Sequence, residues 1–224
     1  MELGDRANAG DVKERTPVQH LLVIGHPDQH SFNHAVAARY VDVVESNYQS
    51  VEVRDLYAAE FDPLLKDIER PQRQAGASSP DVRHELDLIE RSDVLTFVYP
   101  LWFGTPPAII KGYIDRVFGA AFLPADLQAE QDRREFAGKQ LCLFTSSAST
   151  TPWLDEHGIV TSLQQSFGRY LASVFGFAGT HFFHAASVVD DMGASHAERL
   201  LFDVGEQARL ICAEAGAARH HAEL

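Results

Sequence analysis

Five short apolar runs separated by amphipathic stretches constrain the fold of this chain more than any other feature. The runs lie at 20–25, 50–55, 94–99, 140–146 and 180–185, and each has the length and β-branched or aromatic content of a buried strand. Between them apolar residues recur at helical spacing, as in Phe32, Val36, Tyr40, Val43 and Val44, or Leu163, Phe167, Tyr170, Leu171 and Val174. Strand and helix in strict alternation predict an α/β fold with one parallel sheet covered on both faces. Local start signals agree with this phasing. Ser79 before Pro80 and Thr105 before Pro106 place a capping hydroxyl ahead of a proline suited to a first helical turn. Ser195 with Glu198 reads as the capping box of a last helix.

At 224 residues the chain is expected to form one domain, 18–217, flanked by a disordered tail at 1–17 and a frayed tail at 218–224. No stretch is apolar for long enough to cross a bilayer, and residues 1–17 lack the hydrophobic run of a secretory signal. A net charge of -13 argues against a phosphate-tracking nucleic-acid binder. Cys142 and Cys212 both fall in apolar contexts and are expected to be buried and reduced, which suits a cytoplasmic location. The histidines of the last turn are expected to be solvated, and no metal site is assigned.

Five alternating strands suggest the flavodoxin-like order 2-1-3-4-5, in which a ligand crevice opens beyond the carboxyl ends of the strands where the order reverses. The loops after Gly25, Tyr99 and Thr145 should therefore meet at one place. The first of them, Gly25-His26-Pro27-Asp28-Gln29-His30-Ser31-Phe32-Asn33, lacks both the close glycines of a dinucleotide-binding turn and the Gly-Lys-Ser/Thr of a Walker loop. It keeps a capping Ser31 whose neighbours' N–H groups face an anion, with His26 or Asn33 as further donors, although a plain helix cap explains the same residues. His26 and His30 lack a third ligand at metal-binding spacing. The second loop ends a strand with Trp102 and Phe103, aromatic surface that needs an apolar or planar partner. Two long connections, 57–78 and 123–137, exceed ordinary loop length and are expected to serve a site or an interface.

Three blocks of residues resemble the flavodoxin-like NAD(P)H quinone reductases. They are His26-Pro27 with Ser31-Phe32-Asn33, Asp55-Leu56-Tyr57 with Phe61-Asp62-Pro63, and Pro100-Leu101-Trp102-Phe103-Gly104 with the run from Pro107 through Lys111-Gly112-Tyr113-Ile114-Asp115-Arg116-Val117-Phe118. The resemblance implies a homodimer with one flavin per active site, FAD ahead of FMN, and two-electron reduction of a quinone-like acceptor by NADH or NADPH. It implies that His26, Ser31, Phe32 and Asn33 hold the phosphates and ribityl chain, and that Pro100, Leu101, Trp102 and Phe103 line the isoalloxazine. Thr145, Ser146 and Ser147 match the loop that reaches the pyrimidine edge, and residues of a second subunit would close the pocket.

The fourth-strand loop departs from that pattern. Ser147 and Ala148 stand where the family carries glycines, and Trp153 stands near a tyrosine position without an acidic hydroxyl. His157 matches, at a shorter spacing, a histidine that supplies a proton as the flavin is reduced, so it is the candidate catalytic residue. Residues 122–126 replace a tyrosine pair of the mammalian enzymes, which leaves substrate choice open. The hydroxyl-rich run itself lacks the base and oxyanion hole of a serine hydrolase. Two other functions fit the same resemblance: a regulatory flavin-binding subunit of a transporter, and an FMN-dependent azo- or nitro-reducing enzyme.

Overall fold

The structure, a computed structural model, describes residues 17–70, 78–121 and 136–222. Its core is a five-stranded parallel sheet in the order β2-β1-β3-β4-β5, with β1 Gln19–Ile24, β2 Ser50–Asp55, β3 Val94–Pro100, β4 Gln140–Ser146 and β5 Gly179–Ala185. This is the order read from the alternation of runs, with strand ends within one residue of those expected. All seven residues of β3 are buried, as befits a central strand covered on both faces, whereas the edge strand β2 exposes Glu52 and Val53.

Helices α1 (Phe32–Ser46) and α7 (Ala194–Ala222) cover one face. Val36, Tyr40, Val43 and Val44 of α1 pack there with Val204, Ala208 and Ile211 of α7 against Leu22, Val98 and Phe144. The opposite face carries α2 (Pro80–Arg91), α3 (Ala108–Tyr113) with its π-helical continuation Ile114–Phe118, and α5 (Ile159–Leu163). A second π-helical segment, Gln164–Tyr170, joins α5 to α6 (Leu171–Phe175), and the short α4 (Thr151–Glu156) precedes them. Leu88, Ile110, Tyr113, Phe118, Leu163 and Phe175 form that core. Tyr170, counted on the apolar face from its spacing, is 62% exposed, because the wider π turn shifts the phase of the helical pattern around it.

Tertiary partners override the local start signals. Ser79 does occupy the N-cap of α2, with Pro80 in the first turn, but its hydroxyl bonds to Glu69 rather than to a helix N–H. Thr105 does not cap: its Oγ1 donates to the Trp102 carbonyl at 3.1 Å, and α3 starts only after Pro107. Ser195 lies inside α7, and the N–H groups of His196 and Ala197 in its first turn donate to the Gly193 carbonyl. The same helix runs past residue 217 to Ala222, and Arg219 pairs with Asp93 at the amino-terminal side of β3.

Two glycines allow close packing against α3. A Cβ on Gly25 would fall 2.5 Å from the Ile110 side chain, and one on Gly112 would fall 2.3 Å from the Pro63 carbonyl. The connection after β2 is pinned by Arg116, fully buried in the π segment, which bonds to both Glu69 carboxylate oxygens at 2.7 and 2.8 Å and reaches Asp81 and the Asp62 carbonyl. The connection expected at 123–137 lies, but for its last two residues, outside the described residues. Cys142 and Cys212 are both buried and free. Among the described residues no helix is long and apolar enough to cross a membrane.

Candidate active site

The carboxyl ends of β1, β3 and β4 open into one cleft of about 520 Å³. Its walls are the β1–α1 loop with the start of α1, the strip Pro100-Leu101-Trp102, the run Ser146-Ser147-Ala148, and a fourth wall from the β5–α7 loop, Val188, Val189, Asp190 and Met192. The three loops predicted to meet therefore do so. The fourth wall escaped the sequence reading, although the rule that ligands sit beyond strand carboxyl ends applies equally to β5.

Ser31 is the N-cap of α1 and accepts from the His34 N–H, while its Oγ lies 3.0 Å from His34 Nδ1. His34 in turn meets Asp55 at 3.1 Å, tying the end of β2 to the helix start. The next two N–H groups, of Phe32 and Asn33, come too early in the helix for an intrahelical acceptor, and both residues line the cleft. The positive end of the helix dipole lies behind them, so this is the part of the cleft whose free donors and charge would suit an anion. Asn33 is almost fully buried and accepts a hydrogen bond from Ser146 at 3.2 Å, which joins the helix start to the end of β4. His26 lines the cleft, its Nδ1 accepting from the Asp28 N–H at 3.0 Å and its ring 5.9 Å from that of Trp102.

Leu101 N–H donates to the Ser146 carbonyl at 2.7 Å, so the ends of β3 and β4 are locked side by side. Trp102 and Thr105 then exchange two backbone hydrogen bonds around a two-residue turn. Phe103 and Gly104 form that turn with φ of 53° and 76°, the left-handed region that a mirror-image turn requires. The geometry puts the Phe103 side chain at the turn tip, fully exposed and outside the cleft lining. Of the strip expected to line a ring, Pro100, Leu101 and Trp102 do line the cleft.

Thr145 lies beneath the cleft rather than in its wall. Its Oγ1 donates to the Phe183 carbonyl at 3.3 Å and lies 2.8 Å from His184 Nδ1, while Ser147 Oγ lies 3.1 Å from His184 Nε2. Burial lowers the His184 pKa to about 4, so the ring is neutral at pH 7. His184 was not singled out from the sequence, where it stands 37 residues beyond Ser147 with no local signal. His157 is outside the cleft lining: its exposed ring stacks on Trp153 at 4.1 Å, and its Nδ1 lies 2.8 Å from the Trp153 carbonyl. Among the described residues no cluster of three His, Cys, Asp or Glu is placed to hold a metal.

A parallel 2-1-3-4-5 sheet with a cleft and a helix start at its switch point defines a flavodoxin-like protein. The corresponding family model, described as a flavodoxin-like fold, matches residues 19–204, and this chain belongs to that family. It is 32% identical over 177 residues to an uncharacterized NAD(P)H oxidoreductase of Haemophilus influenzae, covering 78% of this chain and 87% of that one. It is also 32% identical over 157 residues to NAD(P)H dehydrogenase [quinone] 1 of Cavia porcellus, spanning 62% of this chain and 56% of that protein. In fold it is similar to the NAD(P)H:quinone oxidoreductase from Methanothermobacter marburgensis, with a TM-score of 0.77 at 24% identity over 88% of this chain and 98% of the other.

Proposed function

We propose that this chain is a flavin-dependent NAD(P)H oxidoreductase that passes two electrons to a quinone-like acceptor. The observation that carries the reading is the pair of free N–H groups at the start of α1, opening on a cleft whose other walls are an aromatic strip and a hydroxyl-bearing strand end. A flavin fits that donor set: a phosphate on Phe32 and Asn33, the ribityl chain along His26 and Ser31, and the ring between Pro100-Leu101-Trp102 and Ser146-Ser147-Ala148. FAD ahead of FMN is the flavin that the resemblance implies, and the β5–α7 wall of Val188, Val189, Asp190 and Met192 gives the cleft lining beyond the three loops used by ring and phosphate. Bound flavin supplies the two-electron chemistry linking NAD(P)H to the acceptor. The chain itself binds, orients and excludes water, with Trp102 and His26 shielding the mouth.

Replacing Asn33 by Asp tests the anion site. The carboxylate suits a first helical turn and preserves the fold, but it sits beside the phosphate, so flavin affinity should fall about tenfold or more. Unchanged affinity overturns the assignment. The proton-donor role expected of His157 requires its ring to leave Trp153, and a His157→Gln enzyme that keeps both half-reactions removes it from the chemistry.

A homodimer completes the reading. Phe103 at its turn tip, Trp102, and Leu64 and Leu65 after Pro63 expose large apolar side chains, and surface of this kind is ordinarily covered by another protein surface. A second copy of the chain accounts for it and would bring residues over the open side of the cleft. Sedimentation at micromolar concentration should give a dimer, and a monomer at every concentration contradicts this.

A further inference from the structure

The end of β4 carries a polar arrangement that the family resemblance does not supply. With a neutral imidazole, one proton arrangement alone makes all three contacts at this point: the Thr145 hydroxyl donates to the Phe183 carbonyl and accepts from His184 Nδ1, while Nε2 accepts from Ser147. His184 Nδ1 therefore carries the ring proton, and in the neutral imidazole Nε2 is left as an acceptor. The Ser147 hydroxyl, 3.1 Å away, donates to it. The backbone of Ser147 is fixed as well, its N–H donating to the Ala185 carbonyl and its own carbonyl accepting from Val188, both at 2.9 Å. The hydroxyl proton thus points away from the cleft that Ser147 lines, and the oxygen lone pairs are left for a donor coming from it.

We propose that Ser147, polarised by His184, is a specificity-determining acceptor that selects a ring with an N–H at the edge seated against β4. The inference rests on the flavin reading, in which that donor is the imide N–H of the pyrimidine ring. A glycine here would leave only backbone groups at the edge; the serine adds an acceptor of fixed polarity. His184 acts through Ser147 and is a positioning residue. The other titratable residues of the cleft lining are His26, Asp28, His30 and Asp190, and the hydrogen bonds of His26, Asp28 and His30 are made within the β1–α1 loop.

The test compares binding of FAD and 3-methyl-FAD, which lacks the imide N–H, to the flavin-stripped full-length protein by fluorescence titration. The wild type should bind FAD about tenfold more tightly, the range of one well-placed hydrogen bond. Ser147→Ala should reduce the preference to about twofold or less, and His184→Phe should do the same by freeing the hydroxyl to rotate. His184→Gln, whose amide can donate to Thr145 and accept from Ser147, should restore most of it. Equal binding of the two flavins by the wild type overturns the inference while leaving the flavin site standing, and so does full preference in Ser147→Ala. A protein that binds neither flavin overturns the proposed function and this inference with it.

Discussion

Gly112 shows how closely one residue type is tied to the packing of the connection after β2. Its Cα faces the backbone of Pro63, with no room for a methyl group, and this contact seats the exposed Leu64 and Leu65 beside α3. Gly119, one helical stretch further on, has nothing within 4 Å of an added Cβ. Gly112→Ala should therefore destabilise the protein by about 1–3 kcal/mol through overpacking, whereas Gly119→Ala should be neutral or stabilise it by up to ~1 kcal/mol. Denaturant melts of the two variants check the contrast. Residues that line the cleft were legible in the sequence where they share a loop with their partners, as Ser31, Phe32 and Asn33 do. They were not where the partner arrives from another strand: the bond between Ser147 and His184 exists only because β4 and β5 pair in register, Thr145 opposite His184.

The connection after β2 owes its course to a single buried charge. Arg116 and Glu69 are both shielded from solvent, and the guanidinium beside Glu69 holds that carboxyl at about 2, well below its ordinary 4.5. A carboxylate with a depressed native pKa adds stability that is fully present above about pH 4.5 and is lost as pH falls toward 2, since the unfolded chain binds the proton first. Glu69→Gln should cost about 3 kcal/mol at neutral pH, toward the low end for a broken buried pair because Asp81 still faces Arg116. The same variant should flatten the acid limb of the stability curve between pH 4.5 and 2; a parallel limb contradicts the role given to this pair. Strands read well from sequence because a two-sided buried sheet demands continuous β-branched and aromatic runs. Helix starts read less well, because the hydroxyls of Ser79 and Thr105 found stronger partners in Glu69 and the Trp102 carbonyl.

Taken whole, the molecule is a parallel sheet whose strand carboxyl ends open into one cleft, beside which the turn at Phe103 stands exposed. The order 2-1-3-4-5 was recoverable from alternation alone, and with it the place of the cleft. The fourth wall and the pairing of Ser147 with His184 needed the folded chain. The central claim, that the cleft holds a flavin reduced by NAD(P)H, is tested most directly by the absorption spectrum of the purified protein before and after anaerobic NAD(P)H. A yellow protein whose flavin bands bleach with NADH or NADPH and return on adding a quinone is the result expected. A protein that shows no flavin bands and gains none on incubation with FAD or FMN contradicts it, and one whose bands persist under both nicotinamides retains the cofactor but is not the proposed enzyme.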